Sequence, residues 1–196
     1  MDEDLLVALK TAVQWLDRHS YRYALIGGIA NQLWGIPRLT QDIDIKILVP
    51  DMDYPTIRAA LRAGFPERGR PNAPPNPLIV DAKVGKVVVD FLLAIPGYEE
   101  LIVTRAVRRD LAQVAVWICS AEDLVIQKAV AGRGKDWQDI EGILIEQQGR
   151  FDLDYVEGWL AQFAEALEQP EIVTQYKTIQ AHIAATANHD GDETYD

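Results

Sequence analysis

One cysteine, Cys119, stands in 196 residues, so no internal disulfide can form and stability has to come from a packed core. No apolar run approaches the roughly 20 residues that span a bilayer, which excludes a simple membrane helix from the reading. The opening stretch MDEDLLVALK lacks the basic flank of a signal peptide. Together with the lone thiol it fits a reducing, cytoplasmic setting with no membrane partner. Histidine is scarce as well: His19 and His182 belong to no ligand cluster, and His189 lies in an acidic tail. Histidine-based metal or nucleophilic chemistry therefore has no candidate. Basic charge is also short, with 19 Lys and Arg against 30 Asp and Glu for a net charge of −11. That balance counts against a nucleic-acid partner until its distribution is considered. Residues 151–196 hold ten acidic side chains and one lysine, whereas residues 1–150 hold twenty acidic and eighteen basic ones. The acidity belongs to the C-terminal segment.

What is present is a globular composition, 48% apolar, long enough for one core with a helical appendage. Leu5, Leu6, Leu9, Val13 and Leu16 recur at helical spacing and predict a first helix over 3–18. A short strand is expected at 21–26, a helix from Gly28, and a second strand at 43–49 ended by Pro50. Asp51 is the expected cap of a helix over 53–63 that Gly64 stops. Residues 65–77 carry five of the ten prolines and read as an irregular loop. A hairpin over 78–83 and 86–93 turns around Val84-Gly85, and 105–109 and 114–118 read as two further strands. Ser120-Ala121-Glu122-Asp123 resembles a capping box, and helices are expected over 121–131, 136–147, 152–168 and 171–185. The class is α+β: a mixed sheet flanked by helices over 1–119, a helical part over 120–187 and a disordered acidic tail over 188–196.

The stretch LIGGIANQLWGIPRLTQDIDI, residues 25–45, concentrates the chemistry. Gly27-Gly28 ends an apolar run and opens a helix, offering closely approachable backbone and N–H groups at a positive helix end, as a phosphate requires. Fourteen residues after Gly28, Asp42-Ile43-Asp44-Ile45 has the alternation of a strand, so both aspartates project from one face. Such neighbours repel unless a cation lies between them, and a hard ion such as Mg²⁺ takes oxygen ligands and shares them with phosphates. Asp90 sits inside the apolar strand Val87-Val88-Val89-Asp90-Phe91-Leu92-Leu93, where an uncompensated carboxylate is costly. A strand beside Asp42 and Asp44 would complete a three-carboxylate metal site; a salt bridge to an arginine or a turn cap is the alternative. Trp34 and Trp117, in apolar surroundings, read as core.

Gly27-Gly28, Asp42-x-Asp44 and a later strand aspartate together resemble the polymerase-beta-type nucleotidyltransferase superfamily. The run Arg38-x-Thr40-x-Asp42-Ile43-Asp44 sharpens this. So do Ser120-x-Glu122-Asp123-Leu124-x-x-x-Lys128 and Gly132-Arg133-x-Lys135-Asp136-x-x-Asp139-Ile140. In this order the motifs are similar to those of AbiEii-type nucleotidyltransferases, a group that includes toxins of toxin–antitoxin systems. The chain has Gly-Gly where many relatives have Gly-Ser, which removes one hydroxyl.

The resemblance implies a nucleotidyltransferase-type mixed sheet and transfer of an NMP from an NTP with release of pyrophosphate. It implies two Mg²⁺ ions, with Mn²⁺ an alternative, held by Asp42, Asp44 and Asp90, with Asp90 also helping to deprotonate the acceptor hydroxyl. Gly27 and Gly28 would cradle the triphosphate and Lys128 would contact it. Arg38, Thr40 and Lys135 are further nucleotide-binding candidates. Thr40 has adjacent backbone as its other partner, and Arg38 has Asp44. Arg133, Lys135, Asp136 and Asp139 form a dense charge cluster whose bland reading is a solvated ion-pair network. The acceptor classes are an RNA 3′ end such as tRNA, a protein hydroxyl or a small molecule, with an antitoxin as a further partner. Arg58, Arg62, Arg68, Arg70, Arg105, Arg108 and Arg109 could form a patch for RNA, or be scattered and solvated. A binding module on the same fold that holds a nucleotide or a partner without turnover is the non-enzymatic alternative.

Overall fold

A computed structural model describes residues 2–66 and 76–190 of the chain. The chain forms two compact units: residues 1–30 with 38–120, and residues 31–37 with 121–196. In the first, a six-stranded mixed sheet has the order β3-β4-β2-β1-β6-β5. Its strands are β1 (Tyr23–Ile26), β2 (Asp42–Ile47), β3 (Ile79–Val84), β4 (Val87–Leu93), β5 (Val107–Leu111) and β6 (Val114–Ile118). β2 and β4 run parallel, as do β1 and β6, while β1/β2, β3/β4 and β5/β6 are antiparallel. This is the expected α+β class.

Alternation divides the faces of β2 and β4. Ile43, Ile45 and Ile47 on β2, and Val89, Phe91 and Leu93 on β4, are buried to within 1%. The intervening residues, including both strands' aspartates, fall on the opposite face. Helix α1 (Glu3–Arg18) buries Leu5, Leu9, Val13 and Leu16, a stripe at helical spacing, and Asp2 caps it by accepting from the Leu5 N–H at 2.8 Å. Trp15 of α1 stacks on His19 and meets Phe65 edge-on, and Phe65 in turn touches Phe91. Helix α3 (Tyr54–Gly64) ends where this aromatic group needs room. A Cβ on Gly64 would lie 2.4 Å from Trp15 Nε1.

Several boundaries differ from expectation for local reasons. The helix cap is Asp53, which accepts from the Thr56 N–H, whereas Asp51 sits in a 3-10 turn at φ 54°. Gly64 closes the helix from within, by making space for Trp15. The hairpin turns on Gly85-Lys86, with Val84 paired to Val87, one residue later than expected. Helix α4 (Tyr98–Thr104) was not anticipated, and β5 starts two residues after the expected Arg105. Of the loop over 65–77, residues 67–75 lie outside those described. Arg58 donates to the carbonyls of Asn76, Pro77 and Ile79, tying the far end of that loop to α3.

The second unit contains helices α5 (Ala121–Ala131), α6 (Gly134–Glu146), α7 (Leu153–Ala166) and α8 (Glu171–Asp190). The last is five residues longer than expected and reaches into the segment read as a disordered tail; residues 191–196 lie outside those described. A strap from the first part of the sequence, residues 31–37, packs among these helices. The Trp34 carbonyl accepts from Gln147, and Gly35 and Ile36 lie against Ile143 and Gly142. Helix α2 (Gly27–Trp34) leads into that strap. Among the described residues no helix is long and apolar enough to cross a membrane.

Gly64→Ala should destabilise the protein by about 1–3 kcal/mol, because the indole it would strike is wedged between His19 and Phe65. Gly158→Ala is the control, since a Cβ there meets nothing within 4 Å and alanine favours the helix by up to about 1 kcal/mol. Thermal unfolding of both variants checks the contrast.

Candidate active site

Strand pairing brings the sequence's separate aspartates into one row. Asp44 lies opposite Asp90 across the parallel β2/β4 pair, and Asp90 lies opposite Asp81 across the antiparallel β3/β4 pair. Neighbouring strands are ~4.8 Å apart, so three carboxylates step across three strands on one face. Asp42, two residues before Asp44, is on the same face at the exposed start of β2. Asp44, Asp81 and Asp90 are half-buried. Like charges directly opposite each other destabilise a sheet, so this row is maintained against its own repulsion.

The chain enters the row from β1. Ile26, the last residue of that strand, pairs with Asp44, and α2 begins at the next residue. Gly27 has φ +62°, and a Cβ on it would lie 2.1 Å from Asp44 Oδ2. Both the backbone angle and the space require glycine. The Asp44 carboxylate thus rests against the positive end of α2, which offsets part of the repulsion. On the same face, Lys46 is 5% exposed and its ammonium is 2.5 Å from Glu99 of α4. Glu99 also accepts from the Ile95 N–H. This pair places one buried cation two residues from Asp44 and anchors α4 to the sheet.

Thr40 precedes β2 and donates to Asp42 Oδ1 at 2.8 Å. Arg38 is half-buried and donates to the Leu39 carbonyl at 3.4 Å. Gly27, Gly28, Arg38, Thr40, Asp42, Asp44 and Asp90 all belong to the first unit. The donor set, carboxylate oxygens in a row beside a helix N-terminus, fits a hard divalent cation. Among the described residues, no three carboxylate, histidine or cysteine side chains are drawn into a ready metal cluster. The structure supplies the register that sets the carboxylates on neighbouring strands.

Lys128 and Lys135 belong to the second unit. Lys128 is 5% exposed, with its ammonium 2.5 Å from Asp139 and 3.7 Å from Asp136. Arg133 grips Asp136 from the solvent side with two N–H groups, at 2.5 and 3.2 Å. These four charges form a neutral network that is largely buried, in contrast to the solvated junction read from the sequence. Lys135 is exposed on the first turn of α6.

Sequence reasoning missed Asp81. The signal was available: counting outward from a Gly85-Lys86 turn sets Asp81 opposite Asp90, and the one-residue slip in the expected turn hid it. Trp117, read as core, is 41% exposed. It borders a cavity of about 320 Å³ with Asp17, Tyr21 and Tyr23. Burial, reinforced by Asp17, pushes the Tyr23 phenol well above its usual range, so it stays neutral.

A family model described as "Nucleotidyltransferase of unknown function (DUF6036)" matches residues 4–184. The chain belongs to this family. No curated protein matches the sequence. A solved structure of an antigenic nucleotidyltransferase-like protein from Paracoccidioides brasiliensis is 17% identical, covering 90% of this chain and 93% of that one, with a TM-score of 0.52. The antibiotic-resistance factor ANT(2″)-Ia is 15% identical over 98% of this chain and 100% of that one, with a TM-score of 0.48. The first likeness shows a shared fold. As a DUF6036 nucleotidyltransferase the chain sits within the superfamily its motifs resemble; the AbiEii-type branch is a narrower grouping than the match carries.

Lys128→Ala should cost about 3–5 kcal/mol, since it leaves Asp139 buried without its cation. Lys135→Ala should stay within about 0.5 kcal/mol of the parent. Urea titration of the two variants measures the difference.

Proposed function

We propose that this DUF6036 protein transfers a nucleoside monophosphate from an NTP to an acceptor hydroxyl, dependent on Mg²⁺ or Mn²⁺. The observation that carries the reading is the row Asp44–Asp90, set by strand register and flanked by Asp42 and the N-terminus of α2. Asp42, Asp44 and Asp90 would hold the metal ions, which when bound neutralise the triphosphate and stabilise the entering and leaving oxygens. Gly27 and Gly28 open α2 beside the row, and the N–H groups of that helix start would take phosphate oxygens. Asp90 takes the acceptor's proton from its place in mid-row. Lys46, held by Glu99, lowers the cost of gathering the aspartates.

The acceptor we favour is an RNA 3′ end or another macromolecular hydroxyl, in line with the AbiEii-type motifs, and a toxin role with an antitoxin partner follows from the same resemblance. Exposed Arg105, Arg108 and Arg109 support it on and beside β5, while Arg58 is spent on carbonyls and Arg68 and Arg70 lie outside the described residues. The expected setting is the cytoplasm.

Purified protein incubated with Mg²⁺ and each labelled NTP, alone and with total tRNA or cell lysate, should label an acceptor and release pyrophosphate. Asp42→Ala or Asp44→Ala should reduce transfer by on the order of 10³-fold or more while the protein stays folded. If the parent labels nothing and releases no pyrophosphate, the same fold serves as a nucleotide- or partner-binding module. Labelling of a metabolite in place of a macromolecule would move the acceptor to the antibiotic type. Growth on induction, with and without the neighbouring gene, tests the toxin role.

A further inference from the structure

The second glycine of the pair is constrained differently from the first. Gly28 lies in the first turn of α2 and is buried, and a Cβ built there would stand 2.4 Å from Thr40 Oγ1 and 2.8 Å from Thr40 Cβ. The threonine side chain therefore fills the volume that any side chain on residue 28 would occupy. Its hydroxyl is committed to Asp42: Oγ1 donates to Oδ1 at 2.8 Å, with the Asp42 carbonyl a more distant acceptor at 3.4 Å. Among the described residues Thr40 is the one side-chain donor to Asp42. Asp42, the first residue of β2, is the most exposed carboxylate of the row.

We propose that Thr40 is the positioning residue for Asp42, with Gly28 leaving the room that the threonine side chain occupies. This rests on the metal-dependent reading of the site given above. Threonine suits the task because two heavy atoms on Cβ make χ1 stiff, and the bare Gly28 leaves room for the hydroxyl that a Cβ there would strike. The bond to Oδ1 orients the carboxylate and leaves Oδ2 for a cation. Hydrogen bonds that orient ligands in this way set metal affinity 10- to 100-fold in general.

The test is Mn²⁺ binding to the full chain, followed by the electron paramagnetic resonance signal of free Mn²⁺, with a melting curve for every variant. Thr40→Val, similar in shape but without the donor, should weaken binding about 10- to 100-fold at an unchanged melting temperature. Thr40→Ser should stay close to the parent. Gly28→Ser should weaken binding by pushing Thr40 off Asp42. In the transfer assay, Thr40→Val should raise the metal concentration needed for half-maximal rate more than it lowers the rate at saturating metal. Unchanged Mn²⁺ affinity in Thr40→Val overturns the proposal alone. A parent that binds no Mn²⁺, or an Asp42→Asn variant that binds it equally well, removes the metal-dependent reading and this inference together.

Discussion

Parallel pairing of β2 with β4 decides where the site's carboxylates stand. Shifting that register by one residue would move Asp90 to the buried face and bring Val89 or Phe91 to the open one. The isoleucines of β2 and the valine, phenylalanine and leucine of β4 resist such a slip, because each is held in the core on the far side of the sheet. Apolar burial on one face thus enforces electrostatic crowding on the other. With stability of typical domains only ~5–15 kcal/mol, the crowding has to be offset close by. Among the described residues, the N-terminus of α2 against Asp44 and the Lys46–Glu99 pair on the same face are two such offsets.

The helical unit solves a related problem with opposite means. Asp123, Lys128, Asp136 and Asp139 are all buried there, and each has a named partner. Tyr155 donates to Asp123 at 2.8 Å, and Lys128 bridges the two aspartates of α6. The neutral group of Lys128 and Arg133 with Asp136 and Asp139 fixes the pairing of α5 with α6 more sharply than interchangeable apolar contacts could. In the sheet unit, strand register alone sets Asp44, Asp90 and Asp81 side by side on one face.

Much of the fold was legible because its elements carry strong periodic signals. The heptad-like stripe of α1, the alternation of β2 and the apolar run of β4 each named their element within a few residues. Helix α4 was not legible: YEELIVT is seven residues of mixed character after Pro96-Gly97, too short for periodicity to register, and its anchor, Lys46, is 53 residues away. Asp81 was lost to a turn misplaced by one residue. The burial of Lys128 and its aspartates was hidden for a different reason, since a charged pattern along a helix is ordinarily read as surface. Gly64 and Gly28 were read through backbone freedom, whereas tertiary neighbours, Trp15 and Thr40, fix both. The aspartates of the candidate row other than Asp81 were thus named from the sequence, while the neighbours that constrain the glycines were not.

The strap at residues 31–37 has a bearing on how this chain can be taken apart. The helical unit needs Gly35 against Ile143 and the Trp34 carbonyl for Gln147, yet these come from the sequence ahead of β2. The polypeptide accordingly passes between the units three times, after residues 30, 37 and 120. A fragment starting at Ala121 would lack part of its own packing, and one ending at Ser120 would carry a loose apolar segment. Recombination at a single joint could not graft either unit onto a new partner. The two are inherited as one cassette.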